Sequence, residues 1–527
     1  MTKPEYHDTE EFQNRQRKLQ ELREMGIDPF PPKYNPSHDS ADLAKLWGPV
    51  KIGGNHEAEA GETPCVSVAG RLVLFRPMGK NAFGQIQDKS GRIQVMFNRD
   101  VTEFSGYTPT DETTPLKLIE KKIDLGDIIG VEGHLFHTQK GELTILVKKA
   151  TLLTKTLLPL PDKHSGLADK EMRYRKRWLD LISNPSVLKV FKDRSKILQL
   201  IRHHFDELQF TEVETPILGS LYGGAEARPF TTVLNALDQK MFLRISLEIS
   251  LKKLIVGGLD RVFEIGKVFR NEGIDRMHNP EFTMLEAYAA YWDYNDIMHL
   301  TETLIEKIAL ALHDTTQVAF FLPEKQESVI IDFKAPWIRL SMKESIKKYA
   351  NLDCDALSED DMRAILSQDG MDPKEIAESN RGLLIAHIFE TKVQHHLIQP
   401  HHITDYPIET TPLCRPHRDP TLRNQGLIER FECFVLGEEL GNAYSELNDP
   451  ELQRKLLEHQ AERREKGDEE ATPFDEEFVE ALCQGMPPTG GLGIGIDRLV
   501  MLFTNSHSIR DVLFFPWMKP TYAVEKE

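Results

Sequence analysis

Cysteine is scarce in this sequence and follows no pairing pattern. The 527 residues contain five cysteines, and none of them belongs to a CxxC pair. An odd, scattered set excludes a disulfide-built scaffold and the usual zinc-ribbon spacing. No uninterrupted apolar run approaches about 18 residues, so we expect no membrane span. The N-terminal stretch MTKPEYHDTEEF lacks the basic and apolar regions of a secretory signal. These absences predict a soluble cytoplasmic protein.

Two common phosphate-binding signatures are missing as well. The pattern GxxxxGK[ST] does not occur, which excludes a P-loop, and the glycines at 490–495 do not form the GxGxxG of a βαβ unit. Lysine and arginine total 65 against 83 acidic residues, a net charge of −18 that argues against nucleic-acid binding by bulk charge. A hydrophobic fraction of 40% excludes fibrous and wholly disordered chains.

The local patterns predict an α+β chain of several parts. A charged helix, a proline-rich break and a small-residue linker at 53–64 come first, followed by strands of period two. The predicted parts are a helical and linker extension (1–62), a compact β-barrel (63–155), a linker (156–180), and a large mixed domain (181–520) with a peripheral acidic helical insertion (355–380).

The large domain opens on a predicted helix. Asn184 stands at a capping position and Pro185 at the first helical position. Leu198, Ile201 and Phe205 then form an amphipathic stripe.

One face of the predicted barrel carries unusual side chains. In SGRIQVMFNRD, Ile93 and Val95 are expected to face inward, which directs Gln94 and Met96 outward. Phe83 shares the outer face with glutamines in AFGQIQD. An exposed aromatic ring beside glutamines suits base stacking with readout of base edges. Taken alone, Phe83 also fits an ordinary core residue.

The segment 261–291 predicts a strand, a long polar loop and a second strand. Arg270 follows the first strand, His278 lies in the loop, and Glu286 and Tyr288 share one face of the second strand. Such a hairpin can hold an anion between Arg270 and His278, and a cation or amine at Glu286 and Tyr288. The alternative is a surface hairpin with solvated charges.

A second acidic pattern surrounds a glycine turn. Glu432 and Glu439 lie on either side of Gly437, and Asn442, Tyr444 and Glu446 follow at even spacing. Carboxylates are hard oxygen ligands that suit Mg²⁺ bridging phosphates. A generic acidic turn is the alternative.

Glycines alternate along the strand in PTGGLGIGIDRLVMLF, at 488–503. Gly491, Gly493 and Gly495 share a face and leave space for a flat ring or a ribose, unless they only pack in a core strand. We predict that Asp497 caps the next helix. Arg498 would then begin that helix, well placed for a terminal phosphate.

Four histidines resemble a metal cluster at first sight. They form two pairs around Gln399-Pro400, at a helix end and in the loop after it, namely His395, His396, His401 and His402. No cysteine or carboxylate completes a familiar spacing, so we do not predict zinc there.

Three ordered stretches resemble the motifs of class II aminoacyl-tRNA synthetases: FTEVETPIL, FRNEGIDRMHNPEFT and GLGIGIDRLVMLF. The HIGH- and KMSKS-type signatures of class I are absent. A barrel before the catalytic domain resembles subclass IIb, which charges aspartate, asparagine or lysine. GGAEARPF, LRISLEISLKKLIVGG and EELGNAYSELND resemble the bacterial lysyl-tRNA synthetases of that subclass. The resemblance covers about residues 62–520.

The resemblance implies a fold, an activity and partners. The fold would be a five-stranded OB-fold anticodon-binding barrel followed by a catalytic domain built on an antiparallel sheet flanked by helices. The activity would be ATP-dependent conversion of L-lysine to lysyl-adenylate and transfer of lysine to the 3′ end of tRNA(Lys). Two or three Mg²⁺ ions would assist, and motif 1 would form a homodimer interface.

The resemblance also implies a role for each candidate residue. Catalysis would fall to Arg270 and Arg498. ATP would be bound by Arg270, Glu272, His278, Asn279, Phe282, Glu432, Glu439 and Arg498. Lysine would be bound by Gly224, Glu248, Arg270, Glu286, Tyr288, Asn442 and Glu446. The metal ligands would be Glu432 and Glu439, and the anticodon would contact Phe83 and Gln94.

Some positions depart from the family pattern. SLEIS at 246–250 replaces the more usual APELY, so Ser250 stands where tyrosine is common, and His401 and His402 replace less polar residues.

Two other enzyme functions and one non-enzyme function are the alternatives. A protein lysylase of the same family would lack the barrel, and an aspartate or asparagine enzyme would not need carboxylates at Glu248 and Glu446. A catalytically dead tRNA-binding protein is expected to have lost the motif arginines or the metal glutamates.

Overall fold

The computed structural model describes residues 4–110, 113–161, 167, 169–323 and 325–520. The chain divides into two compact units, Met1–Gly166 and Leu167–Glu527. The boundary falls within the linker predicted at 156–180, of which residues 162–166 and 168 lie outside the described residues. The linker prediction is wrong for the second half of that range, because the helices Lys170–Arg175 and Arg177–Ser183 lie there and Arg177 is buried. Within the described ranges, no helix is both long enough and apolar enough to cross a membrane.

The first unit is built around a closed barrel. Its strands are β1 (Cys65–Met78), β2 (Asn81–Gln87), β3 (Arg92–Asn98), β4 (Glu103–Phe104), β5 (Ile128–His137) and β6 (Leu143–Thr154). They hydrogen-bond in the order β3-β2-β1-β5-β6-β4, and a further pairing of β3 with β6 closes the barrel. The five long strands form the expected barrel, and the two-residue β4 is added at β6. Val68, Val95, Val131 and Val147 are fully buried inside it.

Helices surround this barrel. They are α1 (Glu10–Glu24), α2 (Ser40–Trp47), α3 (Asn55–Ala60) and α4 (Pro115–Lys122), with a 3₁₀ turn at Glu5–Asp8. The linker predicted at 53–64 is wrong in this respect, because α3 lies there. Ala58 of α3 is fully buried in a small cluster with Met96. Met96 is therefore on the outer face of the barrel, as expected, yet only 3% exposed.

The second unit is built on an eight-stranded sheet. Its strands are β7 (Thr211–Glu212), β8 (Leu218–Gly219), β9 (Thr231–Leu234), β10 (Gln239–Leu243), β11 (Arg261–Phe269), β12 (Glu281–Ala290), β13 (Gln317–Leu322), β14 (Glu327–Asp332), β15 (Ile338–Ser341), β16 (His401–Pro407), β17 (Leu427–Val435), β18 (Glu438–Ser445) and β19 (Thr489–Gly495). The main sheet has the order β15-β16-β17-β18-β19-β12-β11-β7; β8-β10-β9 and β13-β14 form small separate sheets. In the main sheet, the inner strand pairs are antiparallel and the two edge pairs are parallel. This agrees with the expected antiparallel sheet.

Helices cover both faces of this sheet. They are α5 (Lys170–Arg175), α6 (Arg177–Ser183), α7 (Pro185–Glu207), α8 (Glu248–Val256), α9 (Tyr294–His313), α10 (Met342–Ala350), α11 (Glu359–Gln368), α12 (Pro373–Glu378), α13 (Arg381–Lys392), α14 (Pro420–Asn424), α15 (Pro450–Glu465), α16 (Glu476–Cys483), α17 (Ile496–Thr504) and α18 (Ile509–Val512), with 3₁₀ turns at Gln394–His396 and Ile408–Thr410.

Residues of β12 alternate between two apolar cores. Leu285 and Ala287 join the core that contains α7 and α9, whereas Tyr288 joins the core of α8, α13 and α16. Polar side chains on the second face are thus surrounded by packed helices rather than by solvent. The sheet can therefore hold buried charges on that face if they are paired.

Two local predictions need correction. The Asn184 side chain donates to Asp180 Oδ1 at 2.6 Å and does not cap α7, although α7 begins at Pro185 as expected. The acidic insertion at 355–380 contributes to the core, because Met362 and Leu366 of α11 are fully buried in the cluster that contains α13.

Candidate active site

A cavity of about 430 Å³ opens on the face of the main sheet that carries Glu286. Residues of β12, β18 and β19 line it together with α8, the start of α17 and the loop of the 261–291 hairpin. The candidate residues in its wall are Gly224, Glu248, Arg270, Glu272, His278, Asn279, Phe282, Glu286, Tyr288, Glu439, Asn442, Glu446 and Arg498. Glu432 is not in this wall, and Phe83 and Gln94 belong to the barrel unit.

Strand register explains why these side chains converge. β12 and β18 both pair with β19, and directly paired residues point to the same face. The cross-strand rows are Glu286, Gly493 and Asn442 in one case, and Tyr288, Gly491 and Tyr444 in the next. The glycines leave the space between the two polar strands open.

Glu286 is a buried carboxylate with three donors. It accepts hydrogen bonds from Ser246 Oγ at 2.8 Å, from the Leu247 amide at 2.9 Å and from the Tyr288 hydroxyl at 3.1 Å. Burial and the charge of Glu248 raise the pKa of Glu286 to about 7 in spite of these bonds. The hairpin is therefore not a surface hairpin with solvated charges, since Glu286 is only 3% exposed.

Glu248 is held by Tyr444 of β18 and by Lys252 of its own helix. The Tyr444 hydroxyl lies 2.7 and 2.8 Å from its two oxygens. Lys252 Nζ lies 2.5 Å from Glu248 Oε1 and also forms an ion pair with Glu446. Lys252 and the side chain of Glu446 are fully buried. One end of the cavity thus carries three carboxylates and two phenols, and the Lys252 ammonium pairs with two of these carboxylates from outside the lining.

The other end of the cavity is rich in donors. Arg270 places its guanidinium 5.3 Å from the centre of the Phe282 ring, and Glu272 and Glu439 lie near enough to act on its charge. Arg498 donates to the Glu439 carbonyl at 3.0 Å. Two arginines therefore face one end of a cavity whose other end is acidic.

His278 is oriented by an aspartate. Its Nδ1 lies 2.8 Å from Asp275 Oδ2, and its Nε2 lies 3.3 Å from Arg498 Nη2. With the proton on Nδ1, the ring donates to Asp275 and accepts from Arg498. Asn279 lies in the same loop, donates to the Glu281 carbonyl at 2.6 Å and accepts from the Trp517 amide at 3.4 Å.

The Glu432 carboxylate lies on β17, directly opposite Asn442 of β18. It accepts from Arg430 at 2.6 Å and from the Tyr406 hydroxyl at 2.8 Å. Burial, together with repulsion from Glu439, raises its pKa to about 7 although Arg430 opposes the shift. A divalent cation would relieve that repulsion, and two carboxylates are the hard donors that Mg²⁺ prefers, so the residues fit the metal.

The capping prediction for Asp497 is wrong. Gly495 occupies the cap of α17, and Asp497 accepts from the Thr283 amide at 2.7 Å and from Arg194 at 2.6 Å. Asp497 thereby joins the start of α17 to β12 and α7. Arg498, in the first turn of α17, gains its fixed position from this contact.

The four histidines contact other groups. His402 is fully buried, with Nε2 3.2 Å from a Glu302 oxygen, and His401 Nδ1 lies 2.5 Å from the Gln399 carbonyl. His395 and His396 form a 3₁₀ turn before β16. These contacts account for the polar residues that depart from the family pattern.

The outer face of the barrel carries Phe83 and Gln94 on adjacent strands. Gln94 donates to Thr144 Oγ1 at 2.8 Å, and Phe83 is half-buried against Met96. Phe83 therefore lies outside the barrel core and leaves part of its ring exposed.

Comparison with known proteins assigns both units. Residues 169–519 match the model of tRNA synthetases class II (D, K and N), and residues 66–153 match the model of an OB-fold nucleic acid binding domain. The chain is 56% identical to a lysine–tRNA ligase of Chlamydia pneumoniae over 98% of both chains. It belongs to the lysine–tRNA ligase family. Members from Staphylococcus epidermidis (45% identical, 97% of this chain and 98% of the other) and Nostoc punctiforme (44%, 97% and 88%) are also similar.

Sequence reasoning assigned no role to three residues at this site, although it noted Tyr444 among the evenly spaced residues after Gly437. Lys252, Tyr444 and Arg430 each contact a predicted ligand-binding residue. The four-residue spacing of Glu248 and Lys252 on a helix was a usable signal. Ser250, where the family more often has tyrosine, does not line the cavity.

Proposed function

We propose that this protein activates L-lysine with ATP and transfers it to the 3′ end of tRNA(Lys). The observation that carries the proposal is the polarity of one cavity, which is acidic at one end and has two arginines at the other. L-Lysine has two ammonium groups and one carboxylate, and ATP adds only negative charge. The two substrates thus match the two ends, in a chain of the lysine–tRNA ligase family.

The acidic end is the proposed lysine pocket. Glu286, Tyr288 and Glu446 bind the side-chain ammonium, with Asn442 beside them. The α-ammonium is bound by Glu248 and the backbone at Gly224, which has a φ of 84° and where an added Cβ would lie 2.8 Å from Ser246 Oγ. A substrate without the side-chain charge leaves a buried carboxylate unpaired, at a cost of about 1–3 kcal/mol or more.

The arginine end is the proposed ATP site. Phe282 stacks on adenine, and Glu272 and Asn279 bind its edge. His278 and Arg498 bind the outer phosphates, and Arg270 bridges the lysine carboxylate and the α-phosphate. Glu432 and Glu439 would hold two or three Mg²⁺ ions, which would supply neutralising charge to the phosphates.

The residues act mainly by positioning. The lysine carboxylate attacks the α-phosphorus, the bond to the bridging oxygen breaks, and pyrophosphate leaves. The nucleophile is already ionised, so no base is needed. Arg270 and Arg498 offset the negative charge that gathers on the transferring phosphorus and the leaving group. The terminal ribose hydroxyl of tRNA then attacks the adenylate carbonyl and releases AMP.

The remaining assignments extend this proposal. The barrel at 63–155 binds the anticodon, with Phe83 stacking on a base and Gln94 reading its edge. The domain at 181–520 carries catalysis, the extension at 1–62 and the linker at 156–180 flank the barrel, and 355–380 is an insertion that adds to the core. The protein forms a homodimer through motif 1 and acts in the cytoplasm, where its free cysteines remain reduced.

A charging assay tests the proposal. The purified protein is incubated with ATP, Mg²⁺, total tRNA and labelled lysine, aspartate or asparagine. We expect lysine to become attached to tRNA, and we expect the attachment to be lost when the tRNA ribose ends are first oxidised with periodate. Label on a protein acceptor, or tRNA binding without charging, would overturn the proposal.

A further inference from the structure

We propose that Lys252 is a built-in cation that sets the charge of the lysine pocket and positions Glu248 and Glu446. It acts through these carboxylates and not by touching the reacting atoms, so it is a positioning residue. The inference rests on the proposed function, because it assumes that the three carboxylates of the pocket bind the substrate ammonium groups.

The position of Lys252 is fixed by its helix. It follows Glu248 by one turn of α8, with its ammonium 2.5 Å from Glu248 Oε1. The same ammonium forms an ion pair with Glu446 of the segment after β18. Rings enclose it, since the Tyr444 and Phe478 centres lie 5.5 and 5.9 Å from Nζ. Lys252 is fully buried, so water cannot replace these partners.

Glu446 has little other support. Apart from the Lys252 ammonium, no described residue donates a hydrogen bond to its side-chain oxygens, and its side chain is fully buried. Among the described residues, the ion pair that Glu446 forms is with Lys252. A buried carboxylate without a counter-charge is costly, so Lys252 holds Glu446 in the pocket before a substrate arrives.

The charges then match one substrate. Glu248, Glu286 and Glu446 bring three negative charges when ionised, and Lys252 neutralises one of them. The two that remain equal the two ammonium groups of L-lysine, while its carboxylate faces Arg270. Tyr288, Tyr444 and the Cys414 thiol stay neutral, because burial raises the pKa of each well above its usual value. The Arg430 guanidinium beside Asn442 adds no net charge, because it is paired with Glu432.

Removing Lys252 has opposite consequences in two backgrounds. In the wild type, Lys252→Met leaves three carboxylates for two ammonium groups, and the pocket becomes mismatched. In a Glu248→Gln background, the pocket with Lys252 has one negative charge too few, and Lys252→Met restores the balance. A packing role for Lys252 predicts the same loss in both backgrounds.

Lysine-dependent ATP–pyrophosphate exchange distinguishes the two roles. We expect Lys252→Met to raise the KM for lysine about tenfold, with the KM for ATP changed less than about twofold. In the Glu248→Gln background, the same change should lower the KM for lysine. Lys253→Met is the matched control, because Lys253 pairs with the exposed Glu477 on the same helix, and its KM for lysine should not change.

Two results would overturn the inference: an unchanged KM in Lys252→Met, or an equal increase in both backgrounds. If Lys252→Met alone does not fold, the KM for lysine can still be compared between Glu248→Gln and the variant that carries both substitutions. That comparison shows whether removing Lys252 lowers or raises the KM. Absence of lysine-dependent exchange in the wild type would instead refute the proposed function, so the two failures are distinguishable.

Discussion

A side chain at Gly491 would overlap the carboxylate of Glu446. An added Cβ atom would collide with Glu446 Oε1 and lie 2.6 Å from the Tyr288 ring. The glycine strand therefore does more than allow close strand packing, because at this position it makes space for two side chains of the proposed lysine pocket.

Gly491→Ala should accordingly damage lysine binding. We expect the KM for lysine to rise about tenfold or more, since Glu446 or Tyr288 must move from its position. The KM for ATP should change little. Steady-state exchange kinetics with each substrate varied would measure both, and Gly91→Ala is the control because nothing lies within 4 Å of its added Cβ. Equal increases for the two substrates would contradict a local effect on the lysine pocket.

Arg270→Ala should abolish adenylate formation while the fold is retained. Loss of a donor that faces developing charge reduces the rate by about 100-fold to 1,000-fold. ATP–pyrophosphate exchange measures the rate, and circular dichroism checks the fold. Arg202→Ala, which removes an exposed ion pair with Glu212, should leave exchange unchanged. Near-normal exchange in Arg270→Ala would refute the role of this arginine.

Phe83→Ala should separate the two reactions. Lysine activation without tRNA should stay normal, whereas kcat/KM for tRNA charging should fall about tenfold, because stacking on a base contributes about 1–3 kcal/mol. Phe30 is an exposed phenylalanine of the same unit, and Phe30→Ala should affect neither reaction. If Phe83→Ala impaired both reactions equally, the ring would be structural and not a reader of the anticodon.

The pH dependence of lysine use should reflect Glu286. Its pKa is raised to about 7, so in the free enzyme it loses its proton as the pH rises through that value. An ammonium ion requires the ionised form, and kcat/KM for lysine should therefore increase up to about pH 7 and level off above it. Measurements at saturating ATP and Mg²⁺ separate this step from the titration of Glu432. Glu286→Gln should remove the step; its persistence would assign it to another group.

Much of the site could be predicted because the alternation of side chains along single strands determines which residues share a face. Alternation places Glu286 with Tyr288 on one face of β12, and Gly491 with Gly493 on one face of β19. Family motifs then identified the strands that must be neighbours. The family, the barrel and the antiparallel sheet are confirmed, whereas the individual residue roles stay predictions.

The rest depends on contacts between distant segments. The sequence pattern does not distinguish Lys252 from Lys253, a surface lysine of the same helix. Lys252 is buried because the rings of Tyr444 and Phe478 enclose it. Met96 was expected outside the barrel, and it is buried there because Ala58 of α3, Phe136 and Leu146 pack around it. Asp497 has the sequence position of a cap, but Arg194 of a remote helix competes for its carboxylate. Periodicity gives the direction of a side chain and not what covers it.

The most direct test of the account is ATP–pyrophosphate exchange without tRNA, measured with each of the twenty amino acids and with norleucine, which lacks the side-chain ammonium. The account predicts exchange with lysine and none with norleucine, because the buried carboxylates need that charge. Exchange with aspartate or asparagine, or equal exchange with norleucine, would contradict the proposed lysine pocket at Glu248, Glu286 and Glu446.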